Sequence, residues 1–463
     1  MPELPEVETV KKALERKILN KTIFDVEIYR NKTIITDVDQ FKNNLRGQTI
    51  VKLSRKGKFL IFHLTNDLVI ISHLRMEGKF FLKNENDPIN KHDLVIFKFS
   101  DHTELRYNDT RRFGILGLYN ESNYLDISPI NKLGKEPFEI KKEDLIKAYK
   151  NKNVPIKQIL LDQSIMCGLG NIYCDEVLFE SKIHPLTLAK DLNELDIENI
   201  INNSIKILNK AISLGGSTIH SYQSEEGING EFQINLKAYG NENKLCPNCQ
   251  KELLRKIKIN GRGTTYCPNC QRNKSLPFII GVTGPVGCGK STASKLLSKD
   301  KYQIIDADKI VHELYSNSQF VEQFKKTLKI KDIYDENIIN RDLLRKYLLI
   351  HPQVKNKLEK FVWKKVEDKI LSMINKCQKD DVIILDVPLL FESKLNYLCN
   401  KIVLIYCSQI NQIKHLKNRN INDDDLIKIN QNFDIENKKE KADCVIVNNG
   451  SIDDLKNQLN NII

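Results

Sequence analysis

The chain has 463 residues, 41 % hydrophobic and 29 % charged, with 72 Lys and Arg against 60 Asp and Glu for a formal net charge of +12. That length exceeds one ordinary hydrophobic core and calls for two or three domains, and the composition excludes collagen-like, disordered and disulfide-stapled classes. No apolar run approaches the ~18 residues of a membrane-spanning helix, and no basic-then-apolar leader opens the sequence, so a cytoplasmic protein with no membrane association is expected.

Both halves share the basic balance, which favours a polyanionic partner without naming one; a lysine-rich solvated surface would look the same. Of 11 cysteines, four form two Cys-x-x-Cys pairs and the others are scattered, as suits a reducing compartment.

The chain opens Met1-Pro2-Glu3-Leu4-Pro5-Glu6-Val7-Glu8 and continues with Val7, Val10, Leu14 and Ile18 at helical spacing. A helix start accounts for Pro5 and Glu6 but not for a proline directly after the initiator. With Met1 removed, Pro2 carries a secondary amine of pKa near ~8, partly neutral and nucleophilic at neutral pH. Attack on a sugar C1′ gives an iminium that is charged without needing a proton, an electron sink for cleaving neighbouring bonds. Glu3 beside it could shuttle protons. This start resembles the formamidopyrimidine-DNA glycosylase family, whose members begin Pro-Glu-Leu-Pro-Glu-Val-Glu. The resemblance implies that Pro2 and Glu3 are catalytic.

From Thr22 to Tyr119 short apolar or alternating segments, separated by Gly, Asn and Asp, predict strands at 23–28, 49–53, 59–64, 68–74, 94–99, 104–107 and 115–119. A two-layer β-sandwich is the natural reading. Lys58, in a basic turn before a strand, is by itself most simply a solvated charge; by position it corresponds to the family's lysine beside the nucleophile. His73-Leu-Arg75-Met76-Glu-Gly78 and Asp109-Thr-Arg111-Arg112-Phe113-Gly114 carry residues odd on a sheet. An enzyme that extrudes a base must fill the gap left in the stack, which apolar wedges and an arginine do well. The resemblance gives Met76, Arg111 and Phe113 the gap-filling positions and His92 and Arg112 phosphate contacts.

After Pro137 helical spacing appears at 141–150, 155–161, 171–181 and 195–214. Gly168-Leu-Gly170-Asn171 permits a tight turn whose backbone donors can face an anion. The run from Leu160 to Glu176 resembles the family's helix–two-turns–helix clamp, in which Lys157 and Asn171 would grip phosphates flanking the lesion. Asn153 falls where relatives often have a basic DNA-contacting residue, and Cys167 replaces a small apolar one. Residues 217–239 are glycine-rich and polar and read as a mobile loop, which in this family closes over the everted base.

Cys246-x-x-Cys249 and Cys267-x-x-Cys270 have the spacing of a tetrahedral structural zinc site. Between them, residues 256–266 read as a β-hairpin whose tip carries Arg262, a guanidinium fit for a phosphate. In the family this arginine also assists the second elimination step.

Phe278-Ile-Ile-Gly-Val-Thr is a buried strand running into Gly284-Pro-Val-Gly287-Cys288-Gly289-Lys290-Ser291-Thr292. Strand, glycine loop, then helix is the context of a Walker A phosphate loop. Its amides cradle phosphates, Lys290 offsets charge at the transferred group and Ser291 holds Mg²⁺. Further strands are predicted at 302–306, ending in the acids Asp306 and Asp308, and at 381–386, 401–406 and 442–447. These motifs resemble dephospho-coenzyme A kinase. There Asp308 would orient or deprotonate the acceptor ribose 3′-hydroxyl and Arg419 would sit in a lid over the phosphates. The family usually has Gly at Pro285 and Ser at Cys288.

The expected architecture is multidomain: a catalytic β-sandwich over 1–130, a helical helix–two-turns–helix region over 131–240, a four-cysteine zinc finger over 241–272, a linker at 273–277 and an α/β P-loop kinase with a parallel sheet over 278–463. The expected function is bifunctional. The first half would excise oxidised purines such as 8-oxoguanine and formamidopyrimidine from damaged double-stranded DNA and nick the abasic site by β,δ-elimination. The second would phosphorylate dephospho-CoA with MgATP. One structural Zn²⁺, Mg²⁺ with ATP, and a monomer are expected. Two alternatives stay open: an endonuclease VIII-like enzyme for oxidised pyrimidines fused to another P-loop small-molecule kinase, and a DNA-binding ATPase.

Overall fold

The computed structural model describes residues 2–216, 232–299, 301–336, 338–416, 434–460 and 462. The chain divides into two compact units, Met1–Asn273 and Lys274–Ile463.

The first unit begins with helix α1 (Leu4–Ile18), followed by strands β1 (Ile23–Ile28), β2 (Ile50–Lys56), β3 (Phe59–Leu64), β4 (Leu68–His73), β5 (Lys79–Asn84), β6 (Asp93–Phe99), β7 (Thr103–Asn108) and β8 (Ile115–Asn120). They form two antiparallel four-stranded sheets, ordered β2-β3-β4-β8 and β1-β6-β7-β5. Val7 and Ile18 of α1, Leu60 and Phe62 of β3, and Val95 and Phe97 of β6 share the core between them. Every residue of β3 is buried, because its other face, Phe59 and Ile61, packs with Val69, Ile71 and Ile130. A strand covered on both faces reads as a continuous apolar run rather than an alternating one.

Two elements carry no sequence signal of their own type. Strand β5 is half-buried at five of its six positions, so no alternation marks it. Helix α2 (Val38–Leu45) is eight residues long and buries only Phe41 and Leu45, too few to stand out beside the strands.

The helical part comprises α3 (Lys142–Tyr149), α4 (Ile156–Leu160), α5 (Asn171–Glu180) and α6 (Glu194–Ser213), followed by the hairpin strands β9 (Arg255–Ile259) and β10 (Arg262–Tyr266). Eight residues of α5, from Ile172 to Phe179, are buried, so α5 is a central post rather than an amphipathic surface helix. Asn260 and Gly261 join the hairpin with φ of +46° and +79°, the paired left-handed conformation of a two-residue type I′ turn. Arg55 ties the sandwich to the helical part: its Nη1 and Nη2 donate to Glu136 at 2.6 and 3.1 Å and its Nε to Glu8 at 3.0 Å.

The second unit is built on a parallel sheet ordered Gln303–Asp306, Val382–Asp386, Phe278–Thr283, Lys401–Tyr406, Cys444–Val447. Ile279, Ile383 and Leu385 pack into one hydrophobic cluster with Phe324, Val366 and Ile370, and Ile280, Val403 and Ile405 into a second with Leu297 and Leu455. Asp308 is not at a strand end as expected. It lies in the first turn of helix Ala307–Tyr315, because Asp306 caps that helix, accepting from the backbone of Asp308 at 2.9 Å and Lys309 at 3.1 Å.

Candidate functional sites

In the first unit the start of the chain is plugged into the N-terminus of α5. Glu3, 2 % exposed, accepts from the backbone N–H groups of Gly170 at 2.6 Å, Ile172 at 2.9 Å and Tyr173 at 3.3 Å. A Cβ on Gly170 would lie 2.3 Å from Glu3 Cδ, and one on Gly168 (φ +104°) 2.5 Å from Leu4 Cδ1, so glycine is what lets the N-terminal segment approach. The anion faced by this glycine turn is thus the chain's own carboxylate, at the positive end of a helix dipole.

Pro2, next to Glu3 in the chain, and Lys58 are both buried, and Lys58 Nζ donates to Leu169 O at 2.7 Å. Burial pushes the Glu3 carboxyl up and the Lys58 ammonium down; the charge of each partly offsets the shift of the other. Arg262, exposed at the first position of β10, adds its positive charge to the forces lowering Lys58. His73, buried near Arg75 and Lys58, is pushed down to about 3 and is therefore a neutral ring at pH 7. Its Nδ1 accepts from Arg75 N at 2.9 Å.

Met76, Arg111 and Phe113 come together from two loops. Arg111 Nη1 donates to Met76 Sδ at 3.2 Å, and its guanidinium lies 5.4 Å from the Phe113 ring centroid. Phe113 is 57 % exposed and Met76 38 %, odd for large apolar groups unless something else covers them. The loop owes its shape to Asp109, fully buried, which accepts from the backbone of Arg111 at 2.9 Å, Phe113 at 2.9 Å and Gly114 at 2.8 Å. Arg112 is exposed with φ +61°. His92 is half-buried, and its backbone carbonyl accepts from Asp109 N at 3.0 Å, setting it beside the same loop. Asn153 is exposed between α3 and α4.

Lys157, which the resemblance sets against a phosphate, is fully buried, and its Nζ is ion-paired with Asp175. Asp175 Oδ2 also accepts from Thr265 N of β10 at 2.9 Å, and Asn171 Nδ2 donates to Gly263 O at 3.0 Å. Lys157, Asp175 and Asn171 together pin the hairpin bearing Arg262 to α5. Glu176, one residue on, accepts from the backbone of Lys237, Ala238 and Tyr239 at 2.9, 2.9 and 2.8 Å. It anchors the C-terminal root of the predicted base-covering loop, whose residues 217–231 lie outside the described residues.

Sequence reading missed Asp109, Glu136, Asp175 and Glu176, since a buried acid receiving backbone N–H groups looks the same in a sequence as a solvated one. Only Asp109 left a sign: an Asp ahead of Arg-Arg-Phe-Gly is the residue an Asx turn uses.

Cys246, Cys249, Cys267 and Cys270 gather with all four Sγ atoms within 4.8 Å of one another. Cys246–Cys270 and Cys249–Cys267 are 3.8 and 3.7 Å apart. Zn–S bonds of about 2.3 Å in a tetrahedron give edges of about 3.8 Å, whereas a disulfide needs about 2.05 Å. The donor set fits structural zinc.

In the second unit, Gly284, Gly287, Gly289, Lys290, Ser291 and Thr292 line a cleft of about 540 Å³ together with Asp308 and His415. Gly287 and Gly289 have φ of +81° and +84°. A Cβ on Gly284 would lie 2.1 Å from Ile405 O, which explains the first glycine. Cys288 is fully buried behind the loop. Lys290 is ion-paired with Asp386, whose other oxygen accepts from Ser294 Oγ at 2.8 Å. Asp386 therefore holds the loop lysine, a role its place at a strand end only hinted at. Arg419 lies outside the described residues.

Four family models match: formamidopyrimidine-DNA glycosylase N-terminal domain over residues 1–116, its H2TH domain over 133–223, a zinc finger found in FPG and IleRS over 253–273, and dephospho-CoA kinase over 278–454. The chain is 45 % identical over 251 residues to a formamidopyrimidine-DNA glycosylase of Ligilactobacillus salivarius, covering 54 % of this chain and 91 % of that one. A Mycoplasma mobile protein of the same name is 43 % identical over 263 residues, 57 % of this chain and 96 % of the other. The crystal structure of Lactococcus lactis Fpg with abasic-site DNA is similar at TM-score 0.55 and 40 % identity, covering 58 % of this chain and 100 % of that chain.

Proposed function

Because the chain belongs to the formamidopyrimidine-DNA glycosylase family over its first unit and carries a dephospho-CoA kinase domain in its second, we propose that Pro2, freed by removal of Met1, is the nucleophile of a DNA glycosylase and lyase joined to that kinase. The seating of Glu3 on the α5 amides, with Pro2 and Lys58 buried alongside, carries the reading. The Pro2 amine attacks C1′ of an oxidised purine nucleotide, the base leaves with the C1′–N9 bond pair, and an iminium joins the protein to the opened sugar. Glu3, held above the ordinary carboxylate range by burial, supplies a proton to the sugar and takes others back during β- and δ-elimination. Lys58 keeps a positive charge near the developing negative charge, and Arg262 binds the lesion-flanking phosphate. Met76, Arg111 and Phe113 fill the gap left by the everted base, while His92, Arg112, Asn153 and Asn171 serve the DNA backbone. Lys157 acts on DNA through the hairpin it helps to hold.

The four cysteines hold zinc, which fixes the fold of the finger. In the second unit the loop amides and Lys290 bind the ATP phosphates, Ser291 takes Mg²⁺ and Asp308 faces the acceptor hydroxyl. The protein acts as a monomer, and the domain limits 1–130, 131–240, 241–272 and 278–463 mark its working parts. Pro2→Gly should lose nicking of an 8-oxoguanine duplex and still phosphorylate dephospho-CoA at the parental rate. Retained nicking would remove Pro2 from the chemistry, and faster turnover of oxidised pyrimidines by the parent would reassign the lesion class.

A further inference from the structure

We infer that His415 and Asn448 are positioning residues for the phosphate loop, each holding one of its carbonyls from outside so that the neighbouring amides stay turned toward the polyphosphate. His415 Nδ1 lies 2.9 Å from Gly287 O. A carbonyl can only accept, so Nδ1 carries the ring proton. The next N–H in that peptide, on Cys288, donates to Pro285 O at 3.3 Å, and the peptide plane is thereby fixed at both ends. Cys407 Sγ, 3.9 Å from the same oxygen, adds a weaker contact.

Asn448 Nδ2 donates to Cys288 O at 3.0 Å. In a trans peptide the C=O and the following N–H point in opposite directions, so this bond turns the Gly289 N–H the other way. The side chain is tight against the loop: a Cβ on Gly289 would lie 2.3 Å from Asn448 Nδ2. Both residues also line the cleft itself.

The two holders belong to one frame. His415 is on helix Gln409–Leu416 and Asn448 on the turn after strand Cys444–Val447. Asn449 joins them, accepting at Oδ1 from Ser408 N at 2.8 Å and Asn411 Nδ2 at 3.1 Å. A loop with glycines at positive φ has backbone freedom to lose on binding, and holding its carbonyls beforehand reduces that loss.

The inference rests on the phosphate-loop reading, and titration calorimetry on the full chain separates the two, with ATP, inorganic tripolyphosphate and dephospho-CoA as probes. A parent chain that binds neither ATP nor tripolyphosphate would sink the phosphate-loop reading itself. If the parent binds both, His415→Ala and Asn448→Ala should each weaken ATP and tripolyphosphate about tenfold, the worth of one ordinary hydrogen bond, and leave dephospho-CoA within about twofold. His415→Asn, whose Nδ2 takes the place of the imidazole Nδ1, should restore most of the affinity. Asn448→Asp, which sets an oxygen against the Cys288 carbonyl, should bind worse than Asn448→Ala. Unchanged polyphosphate affinity, or equal loss for all three probes, would overturn the assignment.

Discussion

Replacing Lys157 by Met separates two roles that predict opposite measurements. A lysine gripping a phosphate would, on removal, reduce the salt slope of DNA binding by about one unit and leave stability alone. In the structure the lysine is fully buried against Asp175, itself 1 % exposed at its side chain. Its loss leaves a buried carboxylate with the Thr265 N–H, at 2.9 Å, as its remaining donor among the described residues. Breaking such a pair costs about 3–5 kcal/mol. Burial already holds the Asp175 carboxyl well above the usual carboxylate range, and the Lys157 ammonium offsets part of that shift. Without the ammonium the carboxyl is raised further, so the added penalty is absent at low pH and grows as pH rises through the parent's folded-state value. The defect should therefore shrink on acidification.

Urea unfolding followed by hydrogen exchange in the first unit measures this, while fluorescence of Trp363, the chain's single tryptophan, reports helix Pro352–Ile374 of the second unit and should not move. Adding Asp175→Asn, which keeps an acceptor for Thr265, should recover about 2 kcal/mol or more. Full stability of Lys157→Met at pH 7.5 combined with a reduced salt slope would refute the buried-pair account.

Asp109→Ala removes the acceptor of three backbone N–H groups at 2.8–2.9 Å. Steady-state kinetics should show kcat/KM on an 8-oxoguanine duplex falling about 100-fold, or ~2.7 kcal/mol, with cleavage of a preformed abasic site nearly spared; equal losses would detach the loop from eversion. Stripping zinc from the four cysteines should weaken DNA binding at least about tenfold, as the hairpin bearing Arg262 loses its anchor, without changing the phosphorylation rate of dephospho-CoA. Lys290→Ala should lower the kinase rate about 1,000-fold and leave lesion cleavage unchanged, since the two chemistries share no residue.

Elements with a strong apolar pattern were legible in the sequence: β1, β3, a continuous apolar run, and α6, with its apolar residues at helical spacing, fall within a residue of the predicted limits. Strand β5 and helix α2 were not, because neither buries a regular stripe. Chemistry carried by a fixed spacing, the four cysteines and the glycine loop, could be read directly, since ligand geometry dictates the spacing. The burial of Lys157 was not legible for the opposite reason: its partner Asp175 lies 18 positions away, and no fixed spacing marks the pair. Glu136 and Glu176 act on backbone N–H groups of distant segments, a relation with no local signature.

Reduction of the enzyme–DNA intermediate with borohydride on an 8-oxoguanine duplex, followed by peptide mass spectrometry of the adduct, decides whether Pro2 is the nucleophile. Deoxyribose carbon should appear on the Pro2 nitrogen of a chain lacking Met1. An adduct on Lys58, or a fully active enzyme that retains Met1, would contradict it.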